Sequence, residues 1–499
     1  MDISQHYLHI LAEEQAAAQV AFVGSGTGVD RDSLCALVAA RMTALRWRQR
    51  FQRLSIESQL LQPVFPGLLS AIPSSGWVHL SASPAFNMEL AVDCALLAKL
   101  NGACTERLQI SLSTPTWQIL SINASPWVHT SQGSLELTLC SNIEQNPAVI
   151  PLFLWENNSV HWELWQRLRR ASRVFLTWDG SCGDGRWTGP VSEFLVSDPL
   201  IPVGSLTQLR TALLDLDGEC RINLRLPTTC RGWTTLVCRM DYDVLQEDFP
   251  SMTSVPLLNC FRVHDLQVQA VPFDLGMEEA ELNLACTSDR ACSVLSVQAW
   301  RDARLIPLAV SSVFTLRSEP CASAPMRTWL CGLPFMDRSA RGRGIAQLEV
   351  CGGTRTAGWW KAAQTFEMHS KGCDARFKGI RPIIPHTPAR DGEEWLPCVS
   401  QLLRMLTSGG DDWSVWKAFL EGLSRHCIDA SHPMRRVIQI QWKDRCTMLE
   451  VKVKPWEGDS RERVIQDARM SAFLQALRRF LGGILPFWFG DFEVTIVNP

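Results

Sequence analysis

Asp30-Arg31-Asp32-Ser33-Leu34-Cys35-Ala36-Leu37-Val38-Ala39-Ala40-Arg41-Met42-Thr43-Ala44-Leu45-Arg46-Trp47 is the stretch from which the organisation of this chain is read. It holds neither proline nor glycine. Leu34, Leu37, Val38, Met42 and Leu45 recur at helical spacing, which predicts an amphipathic helix with Asp30 as its N-cap. Trp47, Phe51, Leu54, Ser58 and Leu61 continue the stripe in a shifted register, and Arg41, Arg46, Arg48, Arg50 and Arg53 give an arginine-rich back. A helix of this kind suits a multi-helix bundle. Alone it would leave much of the stripe in water, so a partner helix is its natural cover. Leu34, Leu37, Val38, Met42, Leu45, Trp47, Phe51 and Leu54 are therefore the candidate partner interface.

On the N-terminal side, Ile3, Tyr7, Ile10 and Leu11 fall on one helical face beside Glu13 and Glu14, and Gly24-Ser25-Gly26-Thr27-Gly28 breaks the chain before the long helix. On the C-terminal side, Pro63, Pro66 and Pro73 end the helical region. From about residue 75 to 390 the texture changes to short runs such as Trp77–Leu80, Leu135–Leu139, Val174–Trp178 and Gln347–Val350, separated by turn residues. That spacing predicts β-sandwich or mixed β units. Pro382–Pro388 reads as a linker. Beyond it, two helices led by Trp395 and Trp413, alternating strands at 437–440 and 449–453, a helix across 461–481 and a strand at 492–497 predict a compact α/β unit. The expected fold is α+β and multidomain: a helical region at 1–74, a β-rich domain at 75–245, a second β-rich or mixed domain at 246–390, and an α/β unit at 391–499.

The 499 residues are enough for large cores without staples. Charged residues make up 20% and hydrophobic ones 46%, which excludes a disordered chain. A net charge of -3 supplies no field for nucleic acid or anionic lipid. No apolar run is long enough to span a bilayer, so no direct membrane insertion is expected. The N-terminus has no basic n-region followed by an apolar h-region, and the 18 cysteines are scattered. Both features suit a cytoplasmic protein with reduced thiols. Forty of the 48 basic residues are arginine, and there are 20 tryptophans against two tyrosines. Arginine and tryptophan are the types that anchor protein–protein contacts.

No constellation carrying chemistry emerges. The Gly24–Gly28 run lacks the Lys-Ser/Thr of a phosphate loop. His426, Cys427 and His432 lack the paired spacing of a zinc site, and His161-Trp162-Glu163 has no following Pro-Cys-x-x-Cys. No Gly-x-Ser-x-Gly elbow occurs. Arg338, Arg341 and Arg343 form a basic loop of the solvated or partner-facing kind. No catalytic residue, cofactor or metal is expected. A component of a larger assembly fits best. An unrelated β-rich binder with tryptophan-lined ligand or glycan sites is the second reading, and a Cys/His-dependent enzyme the third.

Several segments, in order, resemble the TssF (VasA/ImpG) family of type VI secretion baseplate wedge components. Asp30 leads the helix, and Ala40-Arg41-Met42 is similar to the family's Ala-Arg-Ile/Val. Pro66 through Pro73-Ser74 resembles its proline phrase. Pro256, Asn259 and Phe261 match Pro-Ile/Val-x-Asn-Leu-Phe, and the Trp395 helix has a family counterpart. The chain departs from the pattern at Arg31, where the family often has proline, and at Cys351-Gly352-Gly353-Thr354-Arg355. The resemblance implies a contractile, phage-tail-like injection machine in the bacterial cytoplasm, at the inner membrane. It implies as partners a second copy of the chain, a TssG-like wedge subunit, a TssK-like adaptor, and the spike hub and sheath-side subunits.

Overall fold

The computed structural model describes residues 11–17, 19, 31–61, 72–81, 88–89, 95–100, 104–110, 118–130, 134–141, 147–154, 171–196, 221–241, 255–274, 279–284, 290–301, 304–308, 312–317, 326–331, 343–351, 360, 365–370, 373–380, 392–408, 412–424, 432–443, 448–456, 458, 460–484 and 493–497, with parts of 161–168 and 209–216. Its helices are α1 (Arg31–Leu61), α2 (Gly392–Thr407), α3 (Trp413–Ser424) and α4 (Ser460–Ile484), beside a helical turn at Val191–Phe194 and antiparallel sheets in between. The fold is α+β and multidomain, as the patterning predicts. The loop at Gly24–Gly28 and the linker at 382–388 lie outside the described residues.

The chain forms two compact units, each assembled from separate segments. The first comprises Met1–Ile72, Val268–Cys351 and Pro388–Leu403. Its β part is a sandwich. One sheet runs 267–274, 343–351, 290–301, 304–307 and the other 279–282, 326–331, 312–317. Val271, Phe273, Val297, Ala299, Leu348 and Val350 of the first sheet share one core with Leu282 and Leu330 of the second. Period-two alternation puts these side chains on one face, as stacked sheets require.

The second unit comprises Pro73–Gln267, Gly352–Thr387 and Arg404–Pro499. At its centre a closed barrel runs 75–80, 260–264, 104–110, 95–100, 365–370, 373–379, drawing strands from three distant parts of the sequence. Closure leaves no sheet edge exposed. Beside it, a six-stranded sheet stacks cross-strand apolar rows: Leu135, Met240 and Val174; Leu137, Cys238 and Leu176; Leu139, Leu236 and Trp178. Gly185 faces Trp178 across the hairpin, where a Cβ would lie 2.1 Å from the indole. At the C-terminus, strands 437–443 and 448–453 are antiparallel, and 448–453 pairs in parallel with 493–497 after the crossover through α4. Phe419 of α3 stacks on Phe480 of α4 at 5.9 Å.

A buried polar cluster ties these parts of the second unit together. Trp77 Nε1 donates to Asp215 Oδ2 at 2.8 Å. Arg262, opposite Trp77 in the barrel, reaches the same oxygen at 3.6 Å and donates to Ser75 Oγ at 3.3 Å. His432 Nδ1 accepts from the Met434 N–H, so Nε2 carries the proton and donates to the Leu213 carbonyl at 3.1 Å. The turn at 213–216 is thus bonded to the barrel on one side and to the C-terminal α/β elements on the other. Burial, with the nearby Arg262 charge, pushes His264 down to about 3.

Removing one partner of a buried ion pair strands the other charge. Asp215→Ala is expected to destabilise the second unit by about 3–5 kcal/mol in urea unfolding, and Asp215→Leu with Arg262→Met by less. His264 stays neutral in the folded chain while the unfolded chain takes up a proton below about 6.5. Its contribution is complete above that pH and is lost as pH falls towards 3. The unfolding midpoint of the wild type is therefore expected to drop more steeply between pH 6 and pH 4 than that of His264→Gln, in parallel pH-dependent melts.

Candidate assembly interface

α1 runs for 31 residues without a break, since it is built from alanine, leucine, arginine and glutamine, all strong helix formers. Among its described side chains from Cys35 to Ile56, burial is inverted with respect to size, while Leu61 at its end is buried. Cys35, Ala39 and Thr43, one turn apart, are buried, and Thr43 Oγ1 donates to the Ala39 carbonyl at 2.7 Å. The larger residues face water: Leu37 is 63% exposed, Met42 41%, Leu45 50% and Ile56 58%. Val38 is half-buried, and Ala40 and Arg41 are exposed. Leu34, Trp47, Phe51 and Leu54 lie on the same helix, but their side chains fall outside the described residues. The exposed leucines, methionine and isoleucine would each contribute on the order of 1 kcal/mol when covered.

The helical stretch 11–17 is pinned to α1 by charge. Glu14 is buried, and its Oε1 lies 2.8 Å from Arg46 Nε, with Glu13 at 3.8 Å from Nη1. Arg53 pairs with Glu57 one turn on, at 2.9 Å. Sequence reasoning missed Ile56. It also missed a second apolar patch at the sandwich edge, where Trp300 and Leu305 are exposed cross-strand neighbours and Ile306 is exposed beside them. An enrichment in tryptophan was the signal available for Trp300.

Other tryptophans among the described residues fill cores. Trp77, Trp127, Trp162, Trp233 and Trp416 are fully buried, which argues against the second reading, of tryptophan-lined ligand sites. Burial pushes the Cys230 thiol up to about 12 and raises those of Cys238 and Cys260, so these thiols stay protonated and poorly nucleophilic. Among the described residues, no three His, Cys, Asp or Glu side chains are placed to share a metal ion. His161 is buried beside Trp162, and His432 is committed to backbone groups; His426 and Cys427 lie outside the described residues.

The motif residues of the middle of the chain fall into the fold and away from α1. Asn259 is buried with φ of 53°, a left-handed conformation that asparagine tolerates better than most residues. Its Nδ2 donates to the Leu120 carbonyl at 2.9 Å and its Oδ1 accepts from the Leu120 N–H at 2.7 Å, so the side chain completes the backbone bonding of a segment 139 residues away. The Asn259 carbonyl accepts from Leu80 N–H, and Leu257 exchanges two backbone bonds with Phe153. Pro256 is buried, and Phe261 is fully buried edge-on to Phe377. Pro73 is half-buried, and the carbonyl of buried Ser74 accepts from Asp265. Pro66 and the Trp395 side chain lie outside the described residues.

No protein-family model matches the chain, and no curated protein matches it in sequence. Among solved structures it is similar to a chain of the type VI secretion system TssK-TssF-TssG baseplate subcomplex, determined by cryo-electron microscopy. The TM-score is 0.61 at 14% identity, covering 94% of this chain and 96% of that one. A chain of the baseplate complex from the type VI secretion system aligns with a TM-score of 0.46 at 15% identity, covering 99% and 96%. The fold, nearly end to end, is therefore that of a chain of the TssK-TssF-TssG subcomplex.

Asn259→Ala leaves both Leu120 groups unpaired and keeps a strained backbone. It is expected to cost about 2–4 kcal/mol in thermal or urea unfolding. Asn259→Gly relieves the strain alone and is expected to cost less.

Proposed function

We propose that this protein is a structural subunit of a type VI secretion baseplate, occupying the place of a TssF-like wedge component. The observation that carries the reading is the likeness to a chain of the TssK-TssF-TssG subcomplex over 94% of the sequence. It is joined by the apolar face that α1 turns to water. In this reading α1, through Leu37, Val38, Met42 and Leu45, meets a TssG-like subunit within the wedge. A second copy of the chain and a TssK-like adaptor complete the neighbourhood, with the spike hub and sheath-side subunits beyond.

The role is to hold other subunits, and no turnover of a substrate is assigned to it. The site of action is the cytoplasmic side of the inner membrane. No described helix is long and apolar enough to cross a membrane.

The test is co-expression with a TssG-like subunit from the same cell. Met42→Asp with Leu45→Asp is expected to lower co-purification about tenfold or more. Its own unfolding free energy should move by about 0.5 kcal/mol or less, as for exposed sites in general. Undiminished co-purification of the variant would overturn the assignment.

A further inference from the structure

We propose that the strand Arg304–Pro307, at the edge of the first unit's sandwich, takes an extended, acidic segment of a different protein chain as an added strand. The inference goes beyond the role of α1 and holds with or without it. Among the described residues, Arg304–Pro307 is the last strand of its sheet, bonded on one side to 290–301. Arg304, Leu305, Ile306 and Pro307 are all exposed, whereas the interior strand 343–351 buries every second residue over most of its length. A strand whose outer N–H and C=O groups are unpaired is a template for another strand.

The ladder fixes which backbone groups point outward. Gln298 faces Pro307, Ala299 faces Ile306, Trp300 faces Leu305 and Arg301 faces Arg304. One step further on, the Leu308 N–H donates to the Val297 carbonyl at 2.8 Å. Antiparallel ladders alternate between bonded and non-bonded pairs. With Val297 and Leu308 bonded, the next bonded pairs are Ala299 with Ile306 and Arg301 with Arg304. The backbone groups of Leu305 and Pro307 therefore point away from the sheet. Leu305 offers an incoming strand both an N–H and a C=O. Pro307 offers a C=O but no N–H, which ends the ladder there, as proline does on edge strands. The edge accepts a short strand centred on Leu305 and resists open-ended stacking of sheets.

Side chains select the guest. On the outer face, exposed Trp300 and Leu305 lie side by side across two strands, and half-buried Ile345 continues the row from its place opposite Gln298. An apolar guest residue opposite Leu305 would extend that row. On the other face Arg304 and Ile306 are both exposed, so the residue next to that centre meets a cation. Arg343 is exposed and stands beside Trp300, because Gly344 pairs with Ala299. Neither Arg304 nor Arg343 meets an acidic side chain among the described residues. The turn Arg301-Asp302-Ala303-Arg304 holds two cations to one carboxylate. The fitting guest is an alternating apolar strand with glutamate or aspartate beside its central residue. A second copy of the same strand would add its own Arg304 to this rim, and like charges across a strand pair are unfavourable.

Two short peptides of alternating valine and threonine, differing only in carrying two glutamates or two lysines, test this on the purified full-length chain. Binding is read by fluorescence anisotropy and by residue-resolved hydrogen–deuterium exchange. In the free chain the Leu305 amide is expected to exchange fast and the Ile306 amide, paired within the sheet, slowly. The glutamate peptide is expected to slow exchange at Leu305 about tenfold. It should bind about fivefold tighter than the lysine peptide at about 50 mM salt, with the gap shrinking at about 0.5 M salt. Leu305→Pro deletes the outward N–H and should abolish binding of both peptides. Should that variant not fold, Arg304→Glu with Arg343→Glu should invert the preference between them. Equal affinity for the two peptides would overturn the proposal, as would binding that leaves exchange at Leu305 unchanged. So would the absence of binding by either peptide at about 1 mM. Slow exchange at Leu305 in the chain alone that quickens on dilution would also overturn it, by marking a second copy as the occupant.

Discussion

Among its described side chains from Cys35 to Ile56, α1 buries small ones and leaves large apolar ones in water. Cys35, Ala39 and Thr43 are buried, whereas Leu37, Met42, Leu45 and Ile56 stand in water. Hydration of apolar surface is unfavourable, and a soluble monomer ordinarily places its leucines the other way round. The Glu14–Arg46 pair fixes the short helical stretch 11–17 against α1, and the outward face still remains open. That open face and the fold shared with a chain of the TssK-TssF-TssG subcomplex are the two observations on which the proposed assembly role rests.

The second unit is held by polar links between segments remote in sequence. Asp215 accepts from Trp77 while pairing with Arg262, and Leu213, two residues earlier, accepts from His432. Asn259 bonds both backbone groups of Leu120. Each is a buried group whose loss leaves a stranded partner, so they fix a single arrangement of barrel, sheet and C-terminal elements.

Much of the fold was legible in local pattern. The absence of helix breakers from 31 to 61, the alternation at 135–139 and 174–178, and the periodicity at 395–423 and 461–481 all became the elements they predict. Barrel closure was not legible, because the pairing of 75–80 with 260–264 and 373–379 depends on registers that no local signal specifies. The exposed line on α1 was legible as far as Leu45, and its continuation to Ile56 was not. After Leu45 the sequence suggested a shift to Trp47, Phe51 and Leu54, since Gln49 and Gln52 hide the continuation of the line to Ile56. A straight helix keeps Ile56 in line with Val38, Met42 and Leu45 whatever lies between. The motif at 256–261 was readable as a pattern, but its role as a structural hub depends on Leu120 and Phe153, which are far away in the chain.

The most direct test of the assembly role is hydroxyl-radical footprinting of the chain alone and in its complex with a TssG-like subunit, read by mass spectrometry at α1. The account predicts strong labelling of Met42, Leu45 and Ile56 in the free chain and protection of all three in the complex, with Cys35 shielded in both. Equal labelling of Met42, Leu45 and Ile56 in the two states would contradict it.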